Sequence, residues 1–266
     1  MSGRISVNPV EKGLVYIIDG ANYKSISSGE NVVKDLTEND YDANLINDAQ
    51  WVSDGLGSLR FDGTDDYAFR PYTSGDLYDI NTTGEITIDT WVRFDDILGP
   101  YNSIVSFGRP FGNHTAGHYQ WEIMKLNTNF PSAGGDCRIL FAVSNLIDAK
   151  GINLITNDGN FNPSTPLPQD NIWFNLTFTY SYSAGDLTPY YNGEGVTGTP
   201  SGFISPLASP PQIPAVAYRD LNIGAASDLS GAFSMTGNIA SIRIYNRVLS
   251  SSEVEQNYRA LESRFK

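Results

Sequence analysis

The sequence predicts an all-β protein, a two-sheet antiparallel jelly-roll sandwich that ends in a short C-terminal helix. Segments of alternating apolar and polar residues recur along the chain, and turn residues separate them, as is typical of sandwiches. The 266 residues include 25 Gly and 14 Pro, which suits a chain with many turns. The 15 Tyr, 13 Phe and 4 Trp are side chains that favour pleated, half-buried surfaces.

About a dozen short strands are expected. In the clearest, 85–94, Ile86, Ile88, Val92 and Phe94 alternate with polar positions, so they share one face of the strand. The dipeptide Asn192-Gly193 predicts a tight hairpin turn, because both of its residues tolerate positive φ. The predicted strands lie in 13–18, 58–61, 67–69, 85–94, 103–107, 119–126, 138–143, 173–180, 188–191, 221–223 and 238–245.

One helix is predicted, at the C-terminus. Ser250 and Glu253 have the spacing of a capping box, and an apolar stripe at helical spacing follows. The stripe consists of Val254, Tyr258, Leu261 and Phe265. Residues 1–12 are predicted to be an N-terminal arm and residues 13–266 a single domain. The proline-containing stretches 160–171 and 199–214 are predicted to be long loops, because proline cannot donate a backbone hydrogen bond in a central strand.

The formal net charge is −13 and no basic cluster is present. Binding to nucleic acid or to an anionic membrane depends on Lys and Arg, so neither is expected as a partner. The chain contains no stretch of about 20 apolar residues and no apolar leader. We therefore expect synthesis in a cytoplasm without a signal peptide.

The acidic turn between two predicted strands is a candidate metal site. Asp62, Asp65 and Asp66 could supply oxygen ligands to a structural Ca²⁺, which prefers carboxylate and carbonyl oxygens. Asp19 and Asn22 are alternative loop donors. The structural alternative is that Asp and Gly simply suit a tight turn.

Two further groups of residues are candidates for recognition. Tyr72, Tyr101 and Phe111 could stack on sugar rings, although loop aromatics also serve as rim packing. The arm residues Ile5 and Val7 could add to the edge of a partner's sheet. Phe203 and Ile204 lie in the second long loop, which is either a surface connection or an apolar docking arm.

Four blocks of the sequence resemble the laminin G-like branch of the concanavalin A-like lectin/glucanase superfamily. They begin with LRFDGTDDYAF and GEITIDTWVRF and continue through IWFNLTFTYSYSAGDLTPYYNGEGV. The last is LNIGAASDLSGAFSMTGNIASIRIYNRVLSSSEVEQNY. The opening GLVYIIDGANYKSISSGENVVKDLTENDYDANL, residues 13–45, is similar to the start of such domains in virion proteins of (marine) bacteriophages.

The resemblance implies a concanavalin A-like jelly roll, often with structural calcium, used for adhesion or decoration. It leads us to expect a non-enzymatic surface protein of a phage virion that docks on a capsid or tail scaffold protein and self-associates. The alternative is an adhesin of a tail fibre that binds a cell-surface glycan. A glycoside hydrolase is the third reading. Retaining glucanases of this fold carry E-x-D-x-x-E on one strand, and this pattern does not occur in the chain.

Overall fold

The protein, described by a computed structural model, is a sandwich of two antiparallel sheets with a helix packed outside one of them. The structure describes residues 8–97, 102–108, 120–126, 138–144, 149–155, 168–196, 199–200, 220–225 and 233–266. The strands of the first half are β1 (Leu14–Asp19), β2 (Val32–Val33), β3 (Ala43–Ile46), β4 (Gln50–Val52), β5 (Ser58–Asp62), β6 (Tyr67–Arg70), β7 (Glu85–Phe94), β8 (Asn102–Phe107) and β9 (Trp121–Leu126). Those that follow are β10 (Arg138–Ser144), β11 (Ala149–Ile155), β12 (Phe174–Ser181), β13 (Asp186–Tyr191), β14 (Glu194–Gly195), β15 (Thr199–Pro200), β16 (Leu221–Ile223) and β17 (Thr236–Tyr245). The helices are α1 (Ile80–Thr83) and α2 (Ser251–Leu261), with 3-10 turns at Asp54–Leu56 and Glu262–Arg264.

The strands pair in two sheets. The eight-stranded sheet has the order β14-β13-β12-β7-β17-β5-β4, and β1 also pairs with β17. The nine-stranded sheet has the order β15-β11-β10-β9-β8-β16-β6-β3-β2. Hairpin neighbours alternate in both sheets with neighbours from distant parts of the sequence, such as β7 with β17 and β8 with β16, as in a jelly roll. The predicted fold class is therefore confirmed.

The core lies between the sheets and is built by strand alternation. In β7 the even-numbered Ile86, Ile88, Val92 and Phe94 belong to the main apolar cluster and are almost completely buried. Their predicted common face is confirmed. The odd-numbered side chains of β7 point to the outer face of the eight-stranded sheet, where Asp89 and Trp91 are also buried.

Helix α2 covers this outer face. Ser250 and Glu253 form the predicted capping box, in which each side chain accepts a hydrogen bond from the other residue's backbone N–H. Val254 and Tyr258 are buried, whereas Leu261 and Phe265 are partly buried against Trp91. The predicted stripe is the contact surface of the helix and of the turn that follows it.

The N-terminal segment contacts α2. Asn257 Oδ1 accepts a hydrogen bond from the backbone N–H of Val10 at 2.8 Å, and the Tyr245 hydroxyl donates to the carbonyl of Val10 at 3.0 Å. The Gln256 side chain donates to the carbonyl of Asn8 at 2.8 Å. The described part of the predicted arm is therefore fastened to the body of its own chain.

Several elements differ from the sequence-based expectation. The strands β2, β3, β4, β11, β14 and β15 were not predicted, and most of them are too short to show alternation. Thr199–Pro200, at the start of the second predicted long loop, forms the short edge strand β15 on β11. Proline is tolerated there because an edge strand leaves one side unpaired. The four-residue helix α1 was not predicted. Asp79 caps it by accepting from the N–H of Asn81, a local signal too short to show as helical periodicity.

Candidate functional site

The acidic turn joins β5 to β6 and brings its three carboxylates together. One ligand oxygen from each of Asp62, Asp65 and Asp66 lies within 4.8 Å of the other two. Asp62 and Asp65 are exposed, whereas Asp66 is buried. This geometry places three oxygen donors around one point, which suits a hard cation such as Ca²⁺.

Asp66 also has a structural role in that turn. Its Oδ1 accepts from the N–H of Asp48 at 2.9 Å and its Oδ2 from the N–H of Asp62 at 2.9 Å. Burial raises the pKa of Asp66, and no cation among the described residues pairs with it. A bound divalent ion would compensate that charge, so the residues present fit calcium, with Asp62 and Asp65 as the exposed donors.

The alternative donors are engaged elsewhere. Asp19 Oδ1 accepts from Arg264 Nη1 at 2.7 Å and from the N–H of Ala21 at 3.0 Å. Asn22 Oδ1 accepts from the N–H of Lys24 at 3.0 Å. These contacts close the turn after β1. Asp62 Oδ1 likewise accepts from the N–H of Thr64 at 2.7 Å, but among the described residues the acidic turn is the place where three carboxylates lie together, which makes it the better metal candidate.

The predicted glycan-binding aromatics lie in different surroundings. Tyr72 is half-buried; its ring centroid lies 5.7 Å from that of Phe107 and its hydroxyl donates to Asp79 at 3.4 Å. This is the rim packing that the sequence left as an alternative. Tyr101 and Phe111 lie outside the described residues, as do the predicted docking residues Ile5, Val7, Phe203 and Ile204.

A polar row crosses the outer face of the nine-stranded sheet. Asn222, Ser106 and Glu122 are direct partners on β16, β8 and β9, and all three are buried. Ser103 donates to Glu122 Oε1 at 3.0 Å, whereas the Ser106 hydroxyl has no hydrogen-bond partner among the described residues. The sequence gives no sign of this row, because its members come from three different strands. On the described strands of this face Glu122 is the single carboxylate.

A surface cleft of about 510 Å³ opens between the β13–β14 hairpin and α2. One wall is the hairpin turn at Asn192 and Gly193, where both residues have positive φ, 49° and 80°. The turn fits closely, since a Cβ on Gly193 would lie 2.8 Å from the Cβ of Tyr258. The cleft is lined by Asn192, Gly193, Glu194, Gly195, Ser251, Ser252, Glu255, Tyr258, Arg259 and Lys266.

The cleft carries charges of both signs above an aromatic floor. Tyr258 stacks on Trp91 with ring centroids 5.5 Å apart, and the cations of Arg259 and Lys266 lie 5.7 and 5.9 Å from the Tyr258 ring. Lys266 Nζ donates to Glu262 at 2.7 Å, and this hydrogen bond raises the pKa of Lys266. Such a surface offers donors and acceptors to a polar ligand. The sequence predicted the hairpin turn and the helix, but not that they face each other.

None of the helices among the described residues is long and apolar enough to cross a membrane.

Solved structures of known proteins share the fold. The chain aligns with Trypanosoma rangeli sialidase in complex with sialic acid at 16% identity and a TM-score of 0.61, covering 96% of this chain and 34% of that one. It aligns with the binding domain of Paraclostridial Mosquitocidal Protein 1 at 16% identity and a TM-score of 0.59, covering 93% of this chain and 52% of that one. It aligns with the receptor binding domain of botulinum neurotoxin type G at 16% identity and a TM-score of 0.56, covering 93% of this chain and 51% of that one.

The chain thus spans about a third of the sialidase and about half of the two toxin chains. At this identity the likeness concerns the fold alone. No curated protein matches the chain by sequence. Residues 62–255 match the laminin G family described as the concanavalin A-like lectin/glucanases superfamily. That match covers well over half of the chain and agrees with the two-sheet architecture, so the chain is a lectin-like jelly-roll domain that belongs to this superfamily.

Proposed function

We propose that the chain is a non-enzymatic surface protein of a bacteriophage virion, a capsid decoration or accessory structural protein that displays its lectin-like domain. The non-enzymatic part of the proposal is supported by the way the carboxylates are distributed on the faces of the two sheets. The described strands of the outer face around Glu122 carry no second acidic residue, and Asp89, on the other sheet, is buried beneath α2. The sequence resemblance of residues 13–45 to phage virion domains supports the location.

Glycoside hydrolysis by the usual mechanisms requires two carboxyl groups, about 5–5.5 Å apart in retaining enzymes and about 6.5–9.5 Å apart in inverting enzymes. Neither Glu122 nor Asp89 has a second carboxylate beside it on its described strands. We therefore expect no release of reducing ends from β-glucans or mannans. Turnover of any of these that is lost in Glu122→Gln would contradict the non-enzymatic proposal.

Cryo-electron microscopy of the particle that carries the chain tests the virion proposal. Density for the domain on the capsid lattice supports a decoration role, and density confined to the tail tip supports the adhesin instead. Its absence from purified particles would refute both. A deletion of residues 1–7 tests the docking role of the arm, because it removes Ile5 and Val7 but leaves the buried Val10 in place. Unchanged particle occupancy would exclude that role.

The second candidate function is glycan binding, and the cleft between the β13–β14 hairpin and α2 favours it. Polar groups of both signs and hydroxyl side chains line a concave surface, which is what a hydroxyl-rich ligand requires. The aligned toxin domains are named as binding or receptor binding domains, which is compatible with this role.

A glycan array with the intact chain tests this function, and Lys266→Met tests the cleft. Lys34→Met is the matched control, because Lys34 is similarly exposed and is paired with Asp42 as Lys266 is with Glu262. We expect Lys266→Met to weaken an array signal and Lys34→Met to leave it unchanged. Equal signals from both variants would remove the cleft from the proposal.

We propose structural calcium at the acidic turn. Excess CaCl₂ should raise the melting temperature relative to a chelator, because a ligand bound only by the folded state stabilises it. Asp62→Asn with Asp65→Asn should abolish the rise, and Asp186→Asn, an exposed acid on β13, should not. An identical melting temperature with and without calcium would reject the site.

A further inference from the structure

Among the described residues, the lining of the cleft between the β13–β14 hairpin and α2 contains two cations, Arg259 and Lys266. Both side chains are exposed, and both lie beside the ring of Tyr258. Proteins hold the acid group of a ligand through charge-assisted hydrogen bonds from cations of this kind. Whether the cleft suits an acidic or a neutral glycan therefore depends on what these two cations already bind.

Glu262, at the start of the 3-10 turn that follows α2, binds both cations. Its Oε1 accepts from Arg259 Nη1 at 3.2 Å and its Oε2 accepts from Lys266 Nζ at 2.7 Å. The Glu262 side chain is 20% accessible to solvent, against 52% for Arg259 and 64% for Lys266. The carboxylate therefore lies deeper than the two cations that it joins, and it uses the donors that the acid group of a sugar would need.

The charges in and below the cleft are negative on balance. Partial burial raises the pKa of Glu262, but the hydrogen bonds from Lys266 and Arg259 outweigh this effect and hold the pKa below its usual value, so Glu262 is ionised at pH 7. Two more carboxylates, Glu194 and Glu255, line the cleft, and Glu255 Oε1 lies 3.6 Å from Arg259 Nε. Three carboxylates thus stand against two cations, in a chain whose net charge is −13. An acidic ligand would meet an excess of like charge here.

A neutral glycan avoids this repulsion and finds partners in the same groups. Carboxylates accept hydrogen bonds from sugar hydroxyls, and the lining also supplies the hydroxyl groups of Ser251 and Ser252. The Lys266 ammonium has three N–H groups, of which one binds Glu262, so it can also donate to the oxygen of a sugar hydroxyl. The described lining therefore offers donors and acceptors to hydroxyl groups, while both of its cations are paired within the chain.

We infer that the cleft selects neutral glycans over acidic ones, and that Glu262 is the residue that sets this preference. Glu262 satisfies Arg259 and Lys266 from within the chain, and it adds negative charge where a carboxylate or sulfate of the ligand would lie. Specificity of this kind comes from repulsion of the wrong ligand as much as from attraction of the right one. This preference presupposes that the cleft binds a glycan, as proposed above.

Matched pairs of glycans test the preference. Each neutral glycan that gives a signal with the intact chain on an array is compared, by titration calorimetry, with the same glycan carrying a terminal sialic acid or a sulfate group. We expect the dissociation constant of the acidic member to be at least about 10-fold higher, because of like-charge repulsion. The ratio should shrink when NaCl is raised from about 0.1 M to about 1 M, because the screening length falls from about 10 Å to about 3 Å.

Glu262→Gln tests the role of Glu262, since it keeps the size of the side chain and removes its charge. Lys266 then loses its carboxylate partner, so the ratio of the two dissociation constants, acidic over neutral, should fall at least about fivefold. Asp42→Asn is the matched control, because it removes the same charge from the Lys34–Asp42 pair, and neither of those residues lines the cleft. The ratio should be unchanged in this control.

The possible results separate the preference from glycan binding itself. An acidic glycan that binds as tightly as its neutral partner, or more tightly, would overturn the preference and leave glycan binding in place. A preference that persists in Glu262→Gln would overturn the role of Glu262. The lack of a signal from every glycan would instead refute glycan binding, and the preference with it. Circular dichroism melts identify a variant that fails to fold; the wild-type ratio then decides, since a ratio that does not change with salt excludes an effect of charge.

Discussion

Two buried Arg–Asp pairs among the residues that the structure describes differ in how completely their polar atoms are satisfied. Arg70 with Asp76 lies at the end of β6, where the chain leaves the nine-stranded sheet. Arg243 with Asp89 lies on the outer face of the eight-stranded sheet, in the layer that α2 covers. In both pairs the side chains are almost inaccessible to solvent.

Arg70 is surrounded by partners. It donates to both carboxylate oxygens of Asp76, to the Tyr78 hydroxyl at 2.6 Å and to the carbonyl of Pro71 at 2.7 Å. Its guanidinium carbon lies 4.3 Å from the centroid of the Tyr41 ring. Burial raises the pKa of Tyr78, so this hydroxyl keeps its proton and can donate to Asp76 at 2.8 Å.

Arg243 is not surrounded in this way. Its Nη1 is 3.6 Å from Asp89 Oδ2, and Arg243 Nε, Arg243 Nη1 and Asp89 Oδ2 are buried without a hydrogen-bond partner among the described residues. The other oxygen, Asp89 Oδ1, accepts from Asn175 at 2.6 Å and from Thr177 at 3.1 Å. Burial alone therefore does not measure what an ion pair contributes. The satisfied network stabilises the fold, whereas the half-satisfied pair loses much of its attraction to desolvation.

The largest expected effect is at Arg70. Arg70→Met keeps most of the side-chain volume but leaves Asp76 buried without its counter-ion, so the free energy of unfolding should fall by about 3–5 kcal/mol. Arg60→Met is the matched control, because the Arg60–Asp95 pair is partly exposed and should contribute at most about 1 kcal/mol. Urea unfolding measures both. Equal losses of unfolding free energy would show that the network around Arg70 contributes no more to stability than a partly exposed ion pair.

A smaller effect is expected at the more exposed pair of Arg247 with Glu253. The hydrogen bond from Arg247, together with that from the Ser250 N–H, lowers the pKa of Glu253 from 4.5 to about 2. Because the folded pKa is depressed, this stabilisation is complete above about pH 4.5 and is lost as the pH falls towards 2.

Glu253→Gln should cost about 1 kcal/mol at pH 7, the usual scale of a capping contact. The difference in unfolding free energy between wild type and variant should shrink below pH 4.5. A difference that stays constant down to pH 2 would contradict the role of the charge.

The smallest effect is expected where both charges of the unsatisfied pair are removed. Asp89→Asn together with Arg243→Met keeps an acceptor for Asn175 and Thr177 and removes two incompletely paired charges. The double variant should lie within about 1 kcal/mol of the wild type, or be more stable. Asp76→Asn with Arg70→Met, measured alongside by urea unfolding, should be clearly destabilised. If the two double variants lose equal stability, the two buried pairs contribute equally to the fold.

Much of the fold could be read from local patterns. The alternation in β7, the Asn192-Gly193 turn and the Ser250/Glu253 capping box each depend on residues within a few positions of one another, and all three are present in the structure. The acidic turn could be proposed as a metal site for the same reason, since its three carboxylates lie within five residues.

The rest depended on packing between distant segments. The cleft needs the β13–β14 hairpin to face α2, and the polar row needs β16, β8 and β9 side by side. The sequence also does not show which buried arginine is fully hydrogen-bonded, because nothing in the residues next to Arg70 and Arg243 distinguishes the two. By itself the sequence determined the strands, the turns and the capped helix, since short-range backbone geometry and alternation specify them. Only the tertiary structure decided which polar groups would find partners, because that outcome depends on contacts between residues far apart in the chain.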